Sequence, residues 1–275
     1  MTKGLVSVII PTYNSAAHLA ASIESIRKQT YEQIEIVVAD NHSCDGTVQL
    51  AERLADKAIF AGPERCAQCN AAVRASSGEF IYRVDGDFIV EPTVVAAAVA
   101  ACRAGAHAVQ VHNDSDPSVG FWASVRHFER RMYRNDDMHV GARFFRRGTF
   151  EAVGGFDEAL VAGEDYDLHN RLLRAGYNVE AIEPGEKHLG EPRTLAAIAE
   201  KSFFYGRSTR RFLARNGTRG FVQMNPVRAT YFRHWRCFVA QPRLALAFIA
   251  MQVVKYAFGS AGLAFETLRN RGSAY

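Results

Sequence analysis

The first 112 residues alternate short β-branched runs with amphipathic stretches, and this alternation constrains the fold more than any other feature of the chain. Residues 6–10 (Val-Ser-Val-Ile-Ile), stopped by Pro11, read as a buried strand, as do 34–39, 58–60, 80–84 and 108–112. Between them lie helical patterns. The first, over 16–29, has Ser15 as N-cap and Leu19, Ile23 and Ile26 on one stripe. Others cover 47–54, 67–75 and, opened by Pro92, a stretch ending at 104. Strand–helix alternation with short loops implies a mainly parallel α/β sheet covered on both faces, with ligands beyond the carboxyl ends of the strands. Three of these strands end in polar clusters: Thr12-Tyr13-Asn14, Asp40, and Asp85-Gly86-Asp87.

The second half changes character. A basic-aromatic helix is expected over 122–135, a strand over 142–146 and a turn at Gly154-Gly155. A helix over 165–175 ends at Gly176, a favourable C′ residue, and a strand over 178–182 and a long helix over 194–214 follow. Neither an internal repeat nor a low-complexity linker is present. With 275 residues, 48% of them hydrophobic, the chain can bury a sizeable core, which excludes a disordered or mini-protein class. Five cysteines, an odd number, are expected to be reduced thiols in the cytosol. The apolar run 5–11 is too short for a signal peptide, so none is expected.

Two carboxylates at a strand end with only Gly86 between them can hold a hard divalent cation, and the cation in turn neutralises a diphosphate. An Asx-type turn would explain an isolated Asp-x-Asp equally well. Glu164-Asp165-Tyr166-Asp167 is a second acidic cluster at a helix start, where complementarity to the helix dipole is the competing explanation. His188 follows a strand and a Pro-Gly turn. Cys66-x-x-Cys69 has no second Cys/His pair to complete a zinc site and reads as incidental.

The order of these pieces resembles the family 2 glycosyltransferases, nucleotide-sugar enzymes of the GT-A fold. The matching segments are residues 8–14 and 36–47, Asn70 with Gly78-Glu79-Phe80, Asp85-Gly86-Asp87, Gly154-Gly155-Phe156-Asp157-Glu158, and Gly163-Glu164-Asp165 with Arg171 and Gly176-Tyr177. Six motifs recur in the family's order at its spacing, over roughly residues 5–190. The resemblance implies a GT-A catalytic domain at 1–192 and an inverting transfer from a UDP- or GDP-linked sugar, with Mn2+ or Mg2+ as cofactor. It puts Pro11, Thr12 and Tyr13 in the nucleotide pocket with Asn70 and Gly86, and Asp40 on the base. Asp85 would contact the ribose or the metal, Asp87 and His188 would complete the metal shell, Asp165 would be the catalytic base, and Glu164 would lie on the acceptor side. Many members carry Ala-Arg-Asn where this chain has Gln68-Cys69-Asn70, so Arg65 is the candidate substitute at the diphosphate.

Charge divides the chain. Residues 1–200 hold 20 Lys/Arg against 28 Asp/Glu, whereas 201–275 hold 13 against one, Glu266. The basic region is aromatic-rich and ends in a largely apolar run, 244–265. Gln252, Lys255, Gly259, Gly262 and Glu266 form a narrow polar or small stripe on one face of that run. The expectation is a C-terminal region, 193–275, that attaches to an anionic membrane surface through an in-plane interfacial helix. A helix buried on the catalytic domain and a transmembrane span are the alternatives, the latter made costly by Lys255. Nucleic acid is disfavoured, because a long apolar run serves no purpose there.

The sequence therefore reads as a cytoplasmic transferase, peripheral on the inner face of the membrane, acting in cell-envelope polysaccharide synthesis on a lipid-linked (polyprenyl) or glycan acceptor. Two other classes compete. A sugar-nucleotide pyrophosphorylase would want a glycine- and arginine-rich phosphate loop after the first strand, which Pro11-Thr12-Tyr13-Asn14 is not. A non-catalytic nucleotide-sugar-binding scaffold would have no use for Asp85, Asp87, Asp165 and His188 together.

Overall fold

Side chains that alternate along a strand reach opposite faces of a sheet, and in this chain both faces are apolar. In the computed structural model, which describes residues 1–134, 136 and 138–272, seven strands form one sheet. In chain order these are β1 (Thr2–Thr12), β2 (Ile34–Asp40), β3 (Lys57–Phe60), β4 (Gly78–Arg83), β6 (Ala108–Gln110), β8 (Ala142–Arg146) and β9 (Val179–Ala181). Their spatial order is β3-β2-β1-β4-β8-β6-β9. The first four are parallel, β9 runs parallel to β6, and β8 is antiparallel to both β4 and β6. The expected mainly parallel α/β sheet is present, with one reversed strand in its middle.

Val6, Val8, Ile10, Ile36, Val38, Phe80, Tyr82 and Phe144 face one side, under α1 (Ala16–Arg27) and α4 (Val94–Arg103). Ile9, Val37, Ala39, Ile81 and Phe145 face the other, under α3 (Arg65–Ala75), α6 (Arg147–Ala152) and α7 (Glu164–Arg174). Helix α2 (Thr47–Leu54) contributes the buried Ala51 to the first layer. Cys66 and Cys69 lie in the second layer, where burial pushes both thiols up, Cys69 to about 12; they act there as small apolar side chains. Two three-residue strands not expected from the sequence, β5 (Phe88–Val90) and β10 (Glu186–His188), pair antiparallel beside the sheet.

The chain clusters into two units. Unit 1 comprises Met1–Asn113, Val140–Ala159 and Glu164–Gly190 and holds these strands and helices. A short strand, β7 (Asn113–Ser115), leads out of it. Unit 2 comprises Asp114–His139, Leu160–Gly163 and the chain from Glu191 onward, so the C-terminal region shares its core with an earlier segment. The reason is apolar: α5 (Phe121–Arg130) brings Val125 and Phe128 against Ile198, Ala245, Phe248 and Met251. The helix expected over 194–214 is two, α8 (Leu195–Gly206) and α9 (Thr209–Gln223), with Ser208 Oγ donating to the Tyr205 carbonyl at the break. Short helices α10 (Ala229–Arg233) and α11 (Trp235–Ala240) lead to α12 (Pro242–Gly272), whose stretch Pro242–Arg269 is long and apolar enough to cross a membrane.

The polar stripe of α12 is its packing seam. Gln252 Nε2 donates to the Tyr231 hydroxyl at 2.9 Å, Lys255 Nζ lies 3.4 Å from Glu129 Oε1, and Glu266 pairs with Arg207 at 3.0 Å. Burial pulls the Lys255 ammonium down to about 8 against the attraction of Glu129. Gly259 and Gly262 bring α12 against α8: a Cβ on Gly206 would stand 2.1 Å from the Gly259 carbonyl oxygen, and one on Gly262 2.0 Å from that of Phe203. The opposite, apolar face is bare, with Leu246 70%, Val253 63% and Leu268 68% exposed.

Backbone cannot yield at such a contact. We expect Gly206→Ala to separate α8 from α12 and to destabilise the protein by about 1–3 kcal/mol, the usual effect of overpacking. Urea denaturation checks this; unchanged stability would show that the seam is looser than described.

Candidate active site

All of the sequence-nominated site residues lie in unit 1; most sit at the carboxyl ends of β1, β2 and β4 or at the starts of α3 and α7, with Asn70 inside α3 and His188 on β10. Parallel pairing sets Pro11 beside Ala39 and Thr12 beside Asp40. Thr12 Oγ1 donates to Asp40 Oδ2 at 2.8 Å, and Ser43 donates its N–H to Oδ1 and its hydroxyl to Oδ2. Gln68 Nε2 donates to the carbonyls of Thr12 and Ala39, both at 2.7 Å, which ties α3 to both strand ends. Asp40 is thus 3% exposed and shapes the loop after β2, while Tyr13 beside it is 63% exposed. Asn14 and His42 adopt left-handed backbone (φ 50° and 53°), closing the two loops on one another through the Asn14 N–H to Ser43 Oγ, 2.8 Å.

Gly86 lets the end of β4 approach β1: a Cβ there would lie 3.3 Å from Thr12 Cγ2. On either side of it the two aspartates have different surroundings. Asp85 faces two buried guanidiniums, with Arg83 Nη2 at 2.9 Å and Arg143 Nη2 at 3.2 Å. Burial would raise its carboxyl, but Arg83, Arg143 and Arg65 hold it well below the usual carboxylate range. Asp87 faces His188, its Oδ2 lying 2.9 Å from Nε2. The β5–β10 pairing sets His188 opposite Phe88, with the rings stacked at 4.7 Å.

Arg83 joins the two acidic motifs. Its Nη2 that holds Asp85 also lies 3.3 Å from Glu164 Oε1, at the start of α7, and Arg65 reaches the same oxygen at 3.1 Å. Arg65 is therefore engaged with Glu164. Asp165, half-buried, follows directly and accepts the Tyr166 N–H at 2.9 Å. Behind this row, Arg143 Nε pairs with buried Glu186 at 3.1 Å, and the Tyr82 hydroxyl donates to Glu186 as well. Burial holds the Glu186 carboxyl above its ordinary value in spite of both partners.

Asn70 has a different task from the one its motif implies. Its amide donates to the Phe156 carbonyl and to Glu158, and its carbonyl accepts the Phe156 N–H, all within 3.0 Å. With Arg171, which donates to the carbonyls of Val153 and Gly155, it clamps the Gly154-Gly155 turn. Gly155, at φ 66°, takes a backbone conformation that few side chains tolerate.

Sequence reasoning missed Arg83, Arg143 and Glu186. The signal was an arginine inside the otherwise apolar run 80–84, two residues before Asp85. As for a cation, no group of three or more His, Cys, Asp or Glu side chains that could hold a metal occurs among the described residues. The donors still suit one: Mg2+-type sites need only one or two carboxylates plus substrate phosphate oxygens, and Asp87 supplies a carboxylate, beside the His188 imidazole that Mn2+ also accepts and next to Gly190, where a Cβ would collide with Asp87. Asp85 is neutralised by its arginines.

Comparison with known proteins bears on the family and the fold. The model of the family described as Glycosyl transferase family 2 matches residues 7–154. The succinoglycan biosynthesis protein ExoA of Rhizobium meliloti is 27% identical over 80% of this chain and 74% of its own length. Among solved structures, the mannosyltransferase PcManGT of Pyrobaculum calidifontis, in complex with GDP-Man and Mn2+, superposes with a TM-score of 0.62 at 20% identity, over 98% of this chain and 79% of that one. TarS of S. aureus in complex with UDP-GlcNAc gives 0.52 at 17% identity, over 98% and 92%. The fold is that of the GT-A glycosyltransferases.

Paired carboxylates need Arg83 only while they are charged. We expect Arg83→Met to lower the unfolding free energy by roughly 3–5 kcal/mol at pH 7, the usual result of removing one partner of a buried pair. Because Asp85 titrates below its ordinary value in the fold, its pairing contributes stability above about pH 4 that is lost as pH falls further. The gap between variant and wild type should therefore begin to narrow below about pH 4 in urea titrations and go on narrowing as pH falls, and a pH-independent gap would assign Arg83 to packing alone.

Proposed function

The chain belongs to glycosyl transferase family 2, and from that premise we propose that it is a metal-dependent, inverting hexosyltransferase. It moves a sugar from a UDP- or GDP-linked donor onto a membrane-borne, polyprenyl-linked or glycan acceptor during synthesis of a cell-envelope polysaccharide. The observation that carries this reading is the single guanidinium of Arg83, which draws Asp85 at the end of β4 and Glu164-Asp165 at the start of α7 to one edge of the sheet.

In this reading Pro11, Thr12 and Tyr13 line the nucleotide pocket, and Asp40 fixes the loop that frames the base. Asp85 meets the ribose, and Asp87 with His188 holds Mn2+ or Mg2+. A cation there supplies charge neutralisation for the departing nucleoside diphosphate. Asp165 takes the proton from the acceptor hydroxyl, which attacks the anomeric carbon opposite the leaving group and inverts it. Glu164, held by Arg83 and Arg65, keeps the start of α7 in place on the acceptor side. The GDP-Man and Mn2+ of PcManGT, the UDP-GlcNAc of TarS and the succinoglycan role in ExoA's name support the donor, the metal and the pathway class.

Two substitutions separate binding from turnover. Asp165→Asn should bind nucleotide sugar almost as wild type does but release nucleoside diphosphate roughly 10²-fold more slowly or worse. Asp87→Ala should lose metal-dependent nucleotide affinity in calorimetry. Wild-type turnover in Asp165→Asn, with loss in Glu164→Gln, would reassign the base to Glu164.

Unit 2 is the membrane-facing part, peripheral on the cytoplasmic side. Its seam leaves the apolar face of α12 in water, flanked in sequence by Arg233, Arg236 and Arg243. Polybasic attraction is screened within a Debye length of ~8 Å at physiological salt, whereas apolar burial is not. The full chain should float with anionic vesicles and resist release by high salt. Replacing Leu246, Ile249 and Val253 by Ser should make that binding salt-labile, and a wild-type chain that ignores such vesicles would refute membrane attachment.

A further inference from the structure

An imidazole offers its lone pair only in the plane of its ring, so a histidine that is to meet a cation must have that plane held. His188 stands at the end of β10, a strand of three residues, and turns Nε2 to Asp87 Oδ2 at 2.9 Å. The Leu189 N–H donates to the Asp87 carbonyl at 2.9 Å, so both side chains hang on the same short pairing. That pairing sets Phe88 opposite His188, and the two rings stack at 4.7 Å with their planes 18° apart. The last torsion of a histidine side chain is broad when nothing restrains it. Here rotation about it would drive the edge of the imidazole into the phenyl ring.

The phenyl ring is itself restrained. Phe88 is buried in the apolar layer that holds Tyr82, Val90 and Phe144. The Arg143 guanidinium lies 4.9 Å from its ring centroid, and Arg143 is in turn engaged by Asp85 at 3.2 Å and Glu186 at 3.1 Å. Orientation therefore passes from a buried row of ion pairs, through one phenyl ring, to the nitrogen that faces Asp87.

We propose that Phe88 is a positioning residue that sets the plane of the His188 ring and so weights the site toward Mn2+ over Mg2+, a role that rests on the reading of Asp87 and His188 as metal donors. The preference follows from donor chemistry. Mg2+ prefers oxygen ligands and retains several waters, whereas Mn2+, a first-row transition ion, also accepts imidazole nitrogen. The Asp87 carboxylate serves either ion; a well-aimed His188 serves chiefly one.

The test is Mn2+ binding to the full chain in the presence of UDP or GDP, followed by electron paramagnetic resonance, with Mg2+ affinity read from displacement of Mn2+. Spin-echo modulation by nitrogen reports directly whether an imidazole coordinates the ion. Wild type should show that modulation, and His188→Gln should lose it. Phe88→Leu keeps an apolar side chain but removes the ring. It should weaken the modulation and lower Mn2+ affinity about tenfold or more, the usual effect of losing a partner that orients a ligand, while Mg2+ affinity stays near wild type. Phe88→Tyr, which keeps the ring, should retain both the modulation and the preference for Mn2+. Phe88→Met repeats the measurement should the leucine variant melt early. Full modulation and wild-type Mn2+ affinity in the leucine and methionine variants would overturn the proposal. Equal losses of Mn2+ and Mg2+ affinity would overturn it too, leaving Phe88 a packing residue. A wild type that binds Mn2+ without nitrogen modulation, or binds none, would instead remove His188 from the metal shell, and the role of Phe88 would fall with that reading.

Discussion

A guanidinium removed from water must be given negative partners, and in unit 1 that requirement organises the edge of the sheet where the chemistry is read. Arg83 belongs to the central strand β4, and its guanidinium is 3% exposed beneath the Phe156 ring. Removing such a charge from water costs several kcal/mol, repaid only when partners come close in good geometry. Asp85 and Glu164 are those partners, so the strand end and the start of α7 are fixed to each other by a demand that neither could satisfy alone. Arg143 repeats the device one strand over, between Asp85 and Glu186. Asp85 is in consequence an anion held between two guanidiniums, while Asp87 is paired with His188.

Much of this was legible. Near-continuous apolar runs in Val6-Ser7-Val8-Ile9-Ile10 and in Phe80-Ile81-Tyr82 specified strands apolar on both faces, and polar clusters after them marked the carboxyl edge. What escaped was long-range pairing. Nothing near Arg83 in sequence announces Glu164, and nothing near Tyr82 announces Glu186. Strands of three residues, such as Phe88–Val90, are too short to show a period. Asn70 illustrates another limit: its motif places it in the right neighbourhood, but residue type does not say whether an amide faces a ligand or, as here, a turn of its own chain.

Helix α12 shows a third limit. Periodicity revealed two unlike faces but not which of them meets protein. In water the apolar face usually turns inward. Here Gln252, Lys255 and Glu266 meet a tyrosine hydroxyl, a buried carboxylate on α5 and an arginine, Gly259 and Gly262 meet the backbone of α8, and Ala245, Phe248 and Met251 beside them enter the apolar core of unit 2. The partners chose the face. A stripe spaced three and four apart thus served as a docking key, and the solvent was left with leucine, isoleucine and valine.

The split composition of unit 2 has a consequence in time. Val125 and Phe128 are made early, yet their core partners Phe248 and Met251 follow about 120 residues later. At ~5–20 residues per second a ribosome needs roughly 6–25 s to deliver them. Through that interval the insert hangs from a half-made sheet with its greasy side unsheltered. Birth order, as much as the finished fold, therefore makes this segment the one a nascent-chain chaperone would have reason to hold.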